Sequence, residues 1–121
     1  PSDDNLVAAL PDMPAIVPAH WPVEVANALR TYVKSGHLSA TSFLNIMEGI
    51  DKLAVQVQLP PSPDEIGPIA KFSVAYELTA YDASYVQLAL HEEAIFVTLD
   101  RAMRRAAQRL NIPLLPVEIT R

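Results

Sequence analysis

Hydrophobic and polar positions follow a helical period in one central stretch and then give way to a short apolar run. Tyr81 to Glu92 has helical spacing, with Tyr85, Leu88 and Ala89 on one face. The run from Ala94 to Leu99 is apolar and carries β-branched side chains, which is typical of a buried strand in a parallel sheet. The pattern therefore predicts a helix that is followed by a buried strand.

Comparable patterns predict elements along the rest of the chain. Trp21, Val25 and Leu29 recur at four-residue intervals, which favours a helix with these side chains toward the core. This helix is predicted to begin at Pro22 and to end at Gly36. The other predicted elements are helices at Ser39 to Leu53, Ser62 to Tyr76 and Arg101 to Leu110, and strands at Ala15 to Val17, Ala54 to Leu59 and Leu114 to Val117. Strand and helix alternate, which predicts one α/β domain over the 121 residues.

Two aspartates flank the central helix and strand. Asp82 lies in the first predicted helical turn, and Asp100 comes directly after the strand. About eleven helical residues cover roughly 16 Å at ~1.5 Å each, and about six strand residues return nearly 20 Å at ~3.3 Å each. We therefore expect both carboxylates at the edge formed by the carboxyl ends of the strands, where open α/β folds bind ligands.

Each of these acids also has a structural explanation. Thr79 and Asp82 have the spacing of a capping box, and Asp100 suits the N-cap of the helix that follows it. Glu24 lies near the start of a helix, where the dipole favours a negative charge, and Asn27 shares its face three residues later. Taken singly, none of these residues indicates chemistry.

Composition narrows the classes of protein and partner. The net charge is −5, which argues against a protein that coats nucleic acid without sequence preference but not against a nuclease with local basic residues. Half of the residues are hydrophobic, which indicates apolar surface that is buried against a partner or a second copy. No apolar run is long enough to span a membrane. The chain has no cysteine, which fits a reducing compartment, and we expect a cytoplasmic location.

Four segments together resemble one family. In chain order they are Trp21 to Ala28, Leu78 to Tyr85, Phe96 to Arg101 and Asn111 to Leu115. They resemble a PIN domain, and the best match is the VapC-type toxin branch of toxin–antitoxin pairs. The resemblance extends over nearly the whole chain, with the segments in the expected order and spacing.

The resemblance implies a fold and an activity. The implied fold is a three-layer α/β/α arrangement with a mainly parallel sheet. The implied activity is that of a metal-dependent endoribonuclease in which Glu24, Asp82 and Asp100 are the catalytic, metal-binding carboxylates for Mg²⁺ or Mn²⁺. Thr98 and Asn27 are expected as supporting polar groups. The implied partners are an RNA substrate, an antitoxin protein and a second copy of the chain in a homodimer.

One feature departs from the PIN pattern. PIN domains usually open with a strand that ends in an aspartate followed by Ser or Thr, and no apolar strand precedes Asp3, Asp4 or Asp12. We therefore expect a sheet that lacks its first, central strand, in a chain that is incomplete at its N-terminus. The expected consequence is unpaired backbone edges that another chain or closer dimer contacts would cover.

Arginines recur at three and four residues along the last predicted helix. Arg101, Arg104 and Arg105 are predicted to contact the RNA backbone, with a solvated helix face or a patch for an acidic partner segment as alternatives. Two other functions remain open for the chain as a whole. One is a catalytically impaired PIN-like interaction module, and the other is a receiver-like domain that accepts a phosphate at the same acidic edge.

Overall fold

The structure, a computed structural model, describes residues 14–118 and shows a mixed α/β fold with short parallel strands. This confirms the predicted α/β class. The backbone divides into two compact units, of which the described parts are residues 14–59 and residues 60–118. The helices within the described part of the chain are too short or too polar to cross a membrane. The expected first-strand region with Asp3, Asp4 and Asp12 lies outside the described residues.

The N-terminal unit contains two helices between two strands. Its elements in chain order are β1 (Ala15–Val17), α1 (Trp21–Lys34), α2 (Ala40–Asp51) and β2 (Val55–Val57). β1 and β2 pair in parallel, with Ala15 opposite Val55 and Val17 opposite Val57. Ser39 caps α2 by accepting a hydrogen bond from the Ser42 N–H at 3.1 Å, as its position in the sequence predicts.

Burial in the N-terminal unit is shallow. Neither α1 nor α2 contains a buried residue. Trp21, Val25 and Leu29, which the sequence predicts to face a core, are half-buried. Val23 and Leu44 are largely exposed. The unit therefore lacks a core of fully enclosed side chains within its two helices.

The C-terminal unit has three helices and two short strands. A 3₁₀ turn (Pro63–Glu65) leads into α3 (Ile66–Tyr76), and the later elements are α4 (Ala80–His91), β3 (Phe96–Val97), α5 (Arg101–Arg109) and β4 (Leu114–Leu115). β3 and β4 pair in parallel, with Phe96 opposite Leu114. The helices begin and end close to the predicted positions, whereas both strands are shorter than predicted.

The core of the C-terminal unit forms between α4, α5 and β3. Its buried members are Val86, Ala89, Phe96, Ala106, Ala107 and Ile112. Three of the six are alanines, and their small side chains allow the two helices to approach closely. Aromatic side chains of α3 and α4, among them Phe72 and Tyr76, pack around this cluster. Burial here is deep enough to hold the elements that carry Asp82 and Asp100.

The sequence predicts that β3 is buried, and this holds for one face only. Phe96 is 7% exposed, whereas Val97 is 54% and Leu99 is 70% exposed. Successive side chains of a strand point to opposite faces, and the Phe96 face packs on the helices. The Phe96 and Thr98 N–H groups donate to the carbonyls of Pro113 and Leu115. Within residues 14–118 this sheet has two strands, so the other edge of β3 is open.

Candidate functional site

Asp100 lies three residues beyond the carboxyl end of β3 and is the N-cap of α5. Its Oδ1 accepts a hydrogen bond from the Met103 N–H at 2.8 Å, which confirms the predicted N-cap. Its own N–H donates to Thr98 Oγ1 at 3.1 Å. Thr98 therefore holds the backbone of Asp100 in place, and the aspartate side chain is exposed. This is the strand end at which parallel sheets present functional groups.

Arg104 lies in α5 and is buried. Only 5% of it is exposed, and its Nη1 donates to the Thr98 carbonyl at 2.7 Å. Its Nη2 donates to the carbonyls of Pro116 and Val117, at 2.5 and 3.1 Å. The side chain thus joins the residues that follow β3 to those that follow β4.

The three arginines of α5 that the sequence assigns to RNA contact fall into two groups. Arg101 and Arg105 are exposed, and their position suits the prediction. Arg104 does not suit it, because both terminal nitrogens of its guanidinium already donate to backbone carbonyls. The spacing of the arginines in the sequence does not reveal this difference. In the structure Arg104 lies three residues before the fully buried Ala107, on the inward side of the helix.

Asp82 lies in the first turn of α4 and is half-buried. Its N–H donates to Thr79 Oγ1 at 3.1 Å, which confirms Thr79 as the N-cap. The chain reverses after α4, where the Ala94 N–H donates to the Ala89 carbonyl at 3.0 Å. Val86 and Phe96 then meet in the same core cluster. The helix α4, which carries Asp82, and the strand β3, which leads to Asp100, therefore contribute to the same core. The chain reverses direction in the turn that joins them.

Glu24 and Asn27 belong to the N-terminal unit. Glu24 lies in the first turn of α1, where a carboxylate is favoured, and its Oε1 is 3.7 Å from His20 Nε2. Asn27 is exposed, and its backbone carbonyl accepts a hydrogen bond from Thr31 Oγ1 at 3.0 Å. In the structure, both residues therefore have contacts with neighbouring residues of the same helix or of its N-cap. Their grouping with Asp82 and Asp100 stays a prediction.

The chemistry of the predicted ligands suits a hard cation, because Mg²⁺ and Mn²⁺ prefer carboxylate oxygens. Throughout residues 14–118, however, no group of three or more His, Cys, Asp or Glu is arranged to hold a metal ion. Of the three predicted ligands, the C-terminal unit contains Asp82 and Asp100. A metal site that includes Glu24 therefore stays a prediction.

Comparisons with known proteins bear on the fold. No protein-family model and no curated protein matches the chain. The chain is similar to the crystal structure of PAE2754 from Pyrobaculum aerophilum, with a TM-score of 0.56 and 22% sequence identity, over 79% of this chain and 76% of that one. At this identity the likeness concerns the fold alone.

Proposed function

We propose that this protein is a metal-dependent endoribonuclease of the PIN type, similar to VapC toxins. The observation that carries the proposal is the position of Asp100. It is an exposed carboxylate three residues after the parallel strand β3, and the Thr98 hydroxyl accepts a hydrogen bond from its backbone N–H. The second support is the path of the chain from Asp82 through α4 and back along β3, with Val86 and Phe96 in one core.

The proposed reaction is hydrolysis of an RNA phosphodiester at an acidic cluster of Glu24, Asp82 and Asp100. A bound Mg²⁺ or Mn²⁺ would lower the pKa of a water molecule and stabilise the leaving oxygen. Asp100 suits a ligand role because its Oδ1 is used by the helix cap, which orients the carboxyl group and leaves Oδ2 for another partner. Thr98 and Asn27 would act as polar supports, Thr98 by fixing the backbone of Asp100.

The proposed partners follow from the same activity. Arg101 and Arg105 are exposed cations on the helix that Asp100 begins, so they suit contacts with RNA phosphates. Exposed apolar side chains on α1 and α2, such as Val23 and Leu44, suit burial in a homodimer or against an antitoxin protein.

The experiment that tests the proposal is cleavage of a labelled single-stranded RNA with Mg²⁺ and with EDTA. The variants are Glu24→Gln, Asp82→Asn and Asp100→Asn, each of which removes one charge with little change in volume. The matched control is Asp64→Asn, since Asp64 is an exposed acid in the capping turn before α3. We expect Mg²⁺-dependent cleavage that each of the three variants abolishes and the control retains. Cleavage that persists in EDTA, or in Asp82→Asn, would overturn the proposal.

A second candidate is an interaction module with the same fold and impaired catalysis. It is favoured by the exposed apolar side chains of α1 and α2, such as Val23 and Leu44, which suit burial against a protein partner. This candidate predicts a folded protein that leaves RNA uncut with Mg²⁺ or with Mn²⁺. Cleavage by the purified protein that is lost in Asp82→Asn would exclude it.

A further inference from the structure

One face of α5 and the residues after β4 border an open recess of about 410 Å³. The recess lies within the C-terminal unit. Its lining consists of four polar or charged side chains of the helix and two residues of the segment that follows the strand: Arg101, Arg104, Arg105, Gln108, Val117 and Glu118. The lining is thus rich in hydrogen-bond donors.

The charge of α5 is unlike that of the rest of the chain. The helix sequence RAMRRAAQR contains four arginines and no acid, whereas the whole chain has 14 acidic and nine basic residues. Within residues 14–118 no carboxylate forms an ion pair with Arg101 or Arg105. These two guanidinium groups therefore make the helix a local positive surface on an acidic protein.

The geometry of the helix directs three donor side chains to the recess. Arg101, Arg105 and Gln108 recur at four and three residues, so they share one face, and all three are exposed. Arg101 and Arg105 are about 6 Å apart along the helix axis at ~1.5 Å per residue. Guanidinium groups donate in a planar fork that matches the oxygens of a phosphate or carboxylate.

Arg104 positions the segment after β4, which forms the side of the recess that faces α5. Its Nη2 donates to the carbonyls of Pro116 and Val117 and so holds this segment against α5. Glu118 follows directly and places one carboxylate on the same lining. A negative group beside an anion site weakens binding, so Glu118 opposes the two exposed arginines.

We propose that this recess binds a phosphate group of single-stranded RNA through Arg101, Arg105 and Gln108, with Glu118 as a side chain that limits the affinity. The choice of RNA rests on the proposed function. Asp100 directly precedes Arg101, so a strand with one phosphate at the acidic edge would bring a neighbouring phosphate along the face of α5. An acidic peptide could bind in the same recess through its carboxylates, where RNA would bind through a phosphate. The experiment distinguishes these two ligands.

The test is fluorescence anisotropy with a labelled oligouridylate of about ten nucleotides, measured in EDTA so that binding is separated from cleavage. We expect Arg101→Ala/Arg105→Ala to raise the Kd at least tenfold and to lower the slope of log K against log salt by about 0.7 per lost phosphate contact. Glu118→Gln is expected to lower the Kd two- to threefold. The matched control Arg30→Ala, which changes an exposed arginine of α1, is expected to leave the Kd unchanged.

The outcomes separate this inference from the nuclease proposal. Arginine-dependent binding without cleavage in Mg²⁺ supports the recess and counts against the nuclease. Cleavage in Mg²⁺ with a Kd that the double arginine variant does not change overturns the recess. Polyglutamate that displaces the RNA at equal charge concentration overturns the choice of RNA in favour of an acidic peptide. Tighter binding by Arg101→Ala/Arg105→Ala, or weaker binding by Glu118→Gln, contradicts the assigned charge roles.

Discussion

Arg104 lies in α5 and donates to the carbonyl oxygen of Thr98, the residue directly after β3, at 2.7 Å. The same guanidinium donates to the carbonyls of Pro116 and Val117. One buried side chain therefore connects the segment that follows β3 to the segment that follows β4. Thr98 in turn accepts the hydrogen bond of the Asp100 N–H. The position of the candidate aspartate therefore depends on a buried arginine that need not contact any ligand.

The first prediction concerns the stability that Arg104 provides. Arg104→Ala removes a charged donor and leaves three carbonyls without it, which should lower the free energy of unfolding by about 3 kcal/mol. Arg104→Lys should recover only part of this loss, because a single ammonium cannot span the same fork. The measurement is urea unfolding followed by circular dichroism. Arg101→Ala is the control, and it should stay within ~0.5 kcal/mol of wild type. Equal losses for Arg104→Ala and Arg101→Ala would contradict the structural role.

The second prediction separates the helix cap from the proposed chemistry at Asp100. Asp100→Ala removes the acceptor of the Met103 N–H and should cost about 1 kcal/mol, whereas asparagine is as good an N-cap as aspartate. Asp100→Asn should therefore keep the free energy of unfolding near that of wild type. Both variants should lose Mg²⁺-dependent RNA cleavage, since both lack the carboxylate. If Asp100→Asn cleaves RNA at the wild-type rate, Asp100 acts only as the N-cap of α5 and not in the reaction.

The third prediction compares two neighbours in β3. Phe96 belongs to the buried core, and its replacement by alanine should lower the free energy of unfolding by about 3–5 kcal/mol. Val97→Thr changes a side chain that is 54% exposed, and it should have an effect within ~0.5 kcal/mol. Chemical unfolding of both variants measures the difference. A large loss for Val97→Thr would indicate that the open face of β3 is covered by another chain in solution.

The fourth prediction concerns the cooperativity of the two units. The sequence predicts one domain of 121 residues, which should unfold in a single transition. The alternative is separate unfolding of the N-terminal unit, whose helices α1 and α2 contain no buried residue. Trp21 is the one tryptophan of the chain and lies at the start of α1, so its fluorescence reports on this unit. Its urea transition should coincide with that of the far-ultraviolet circular dichroism.

The capping residue of α2 provides a check on this fourth prediction. Ser39→Ala removes the cap of α2 and should cost about 1 kcal/mol. Under one-domain unfolding this variant shifts the fluorescence and dichroism midpoints by the same amount. A fluorescence transition at lower urea than the dichroism transition, or a shift of the fluorescence midpoint alone, would show that the units unfold separately.

Local signals in the sequence determined the α/β class, the positions of the helices and their caps. Ser39, Thr79 and Asp100 cap as predicted because a cap depends on a residue and the three that follow it. The strand predicted at Ala94 to Leu99 was confirmed over Phe96–Val97, and it pairs in parallel as predicted. Its apolar, β-branched composition is a local signal.

Only the tertiary structure decided which side of each element is enclosed. The apolar run at 94–99 has no internal sign that Phe96 would be buried and Leu99 exposed, since burial depends on where α4 and α5 pack. Arg104 differs from Arg101 and Arg105 for the same reason. Its partners are carbonyls up to 13 residues away in the chain, which no helical period reveals. The sequence therefore determined where helices begin and end, and long-range packing decided which charged side chains became part of the fold.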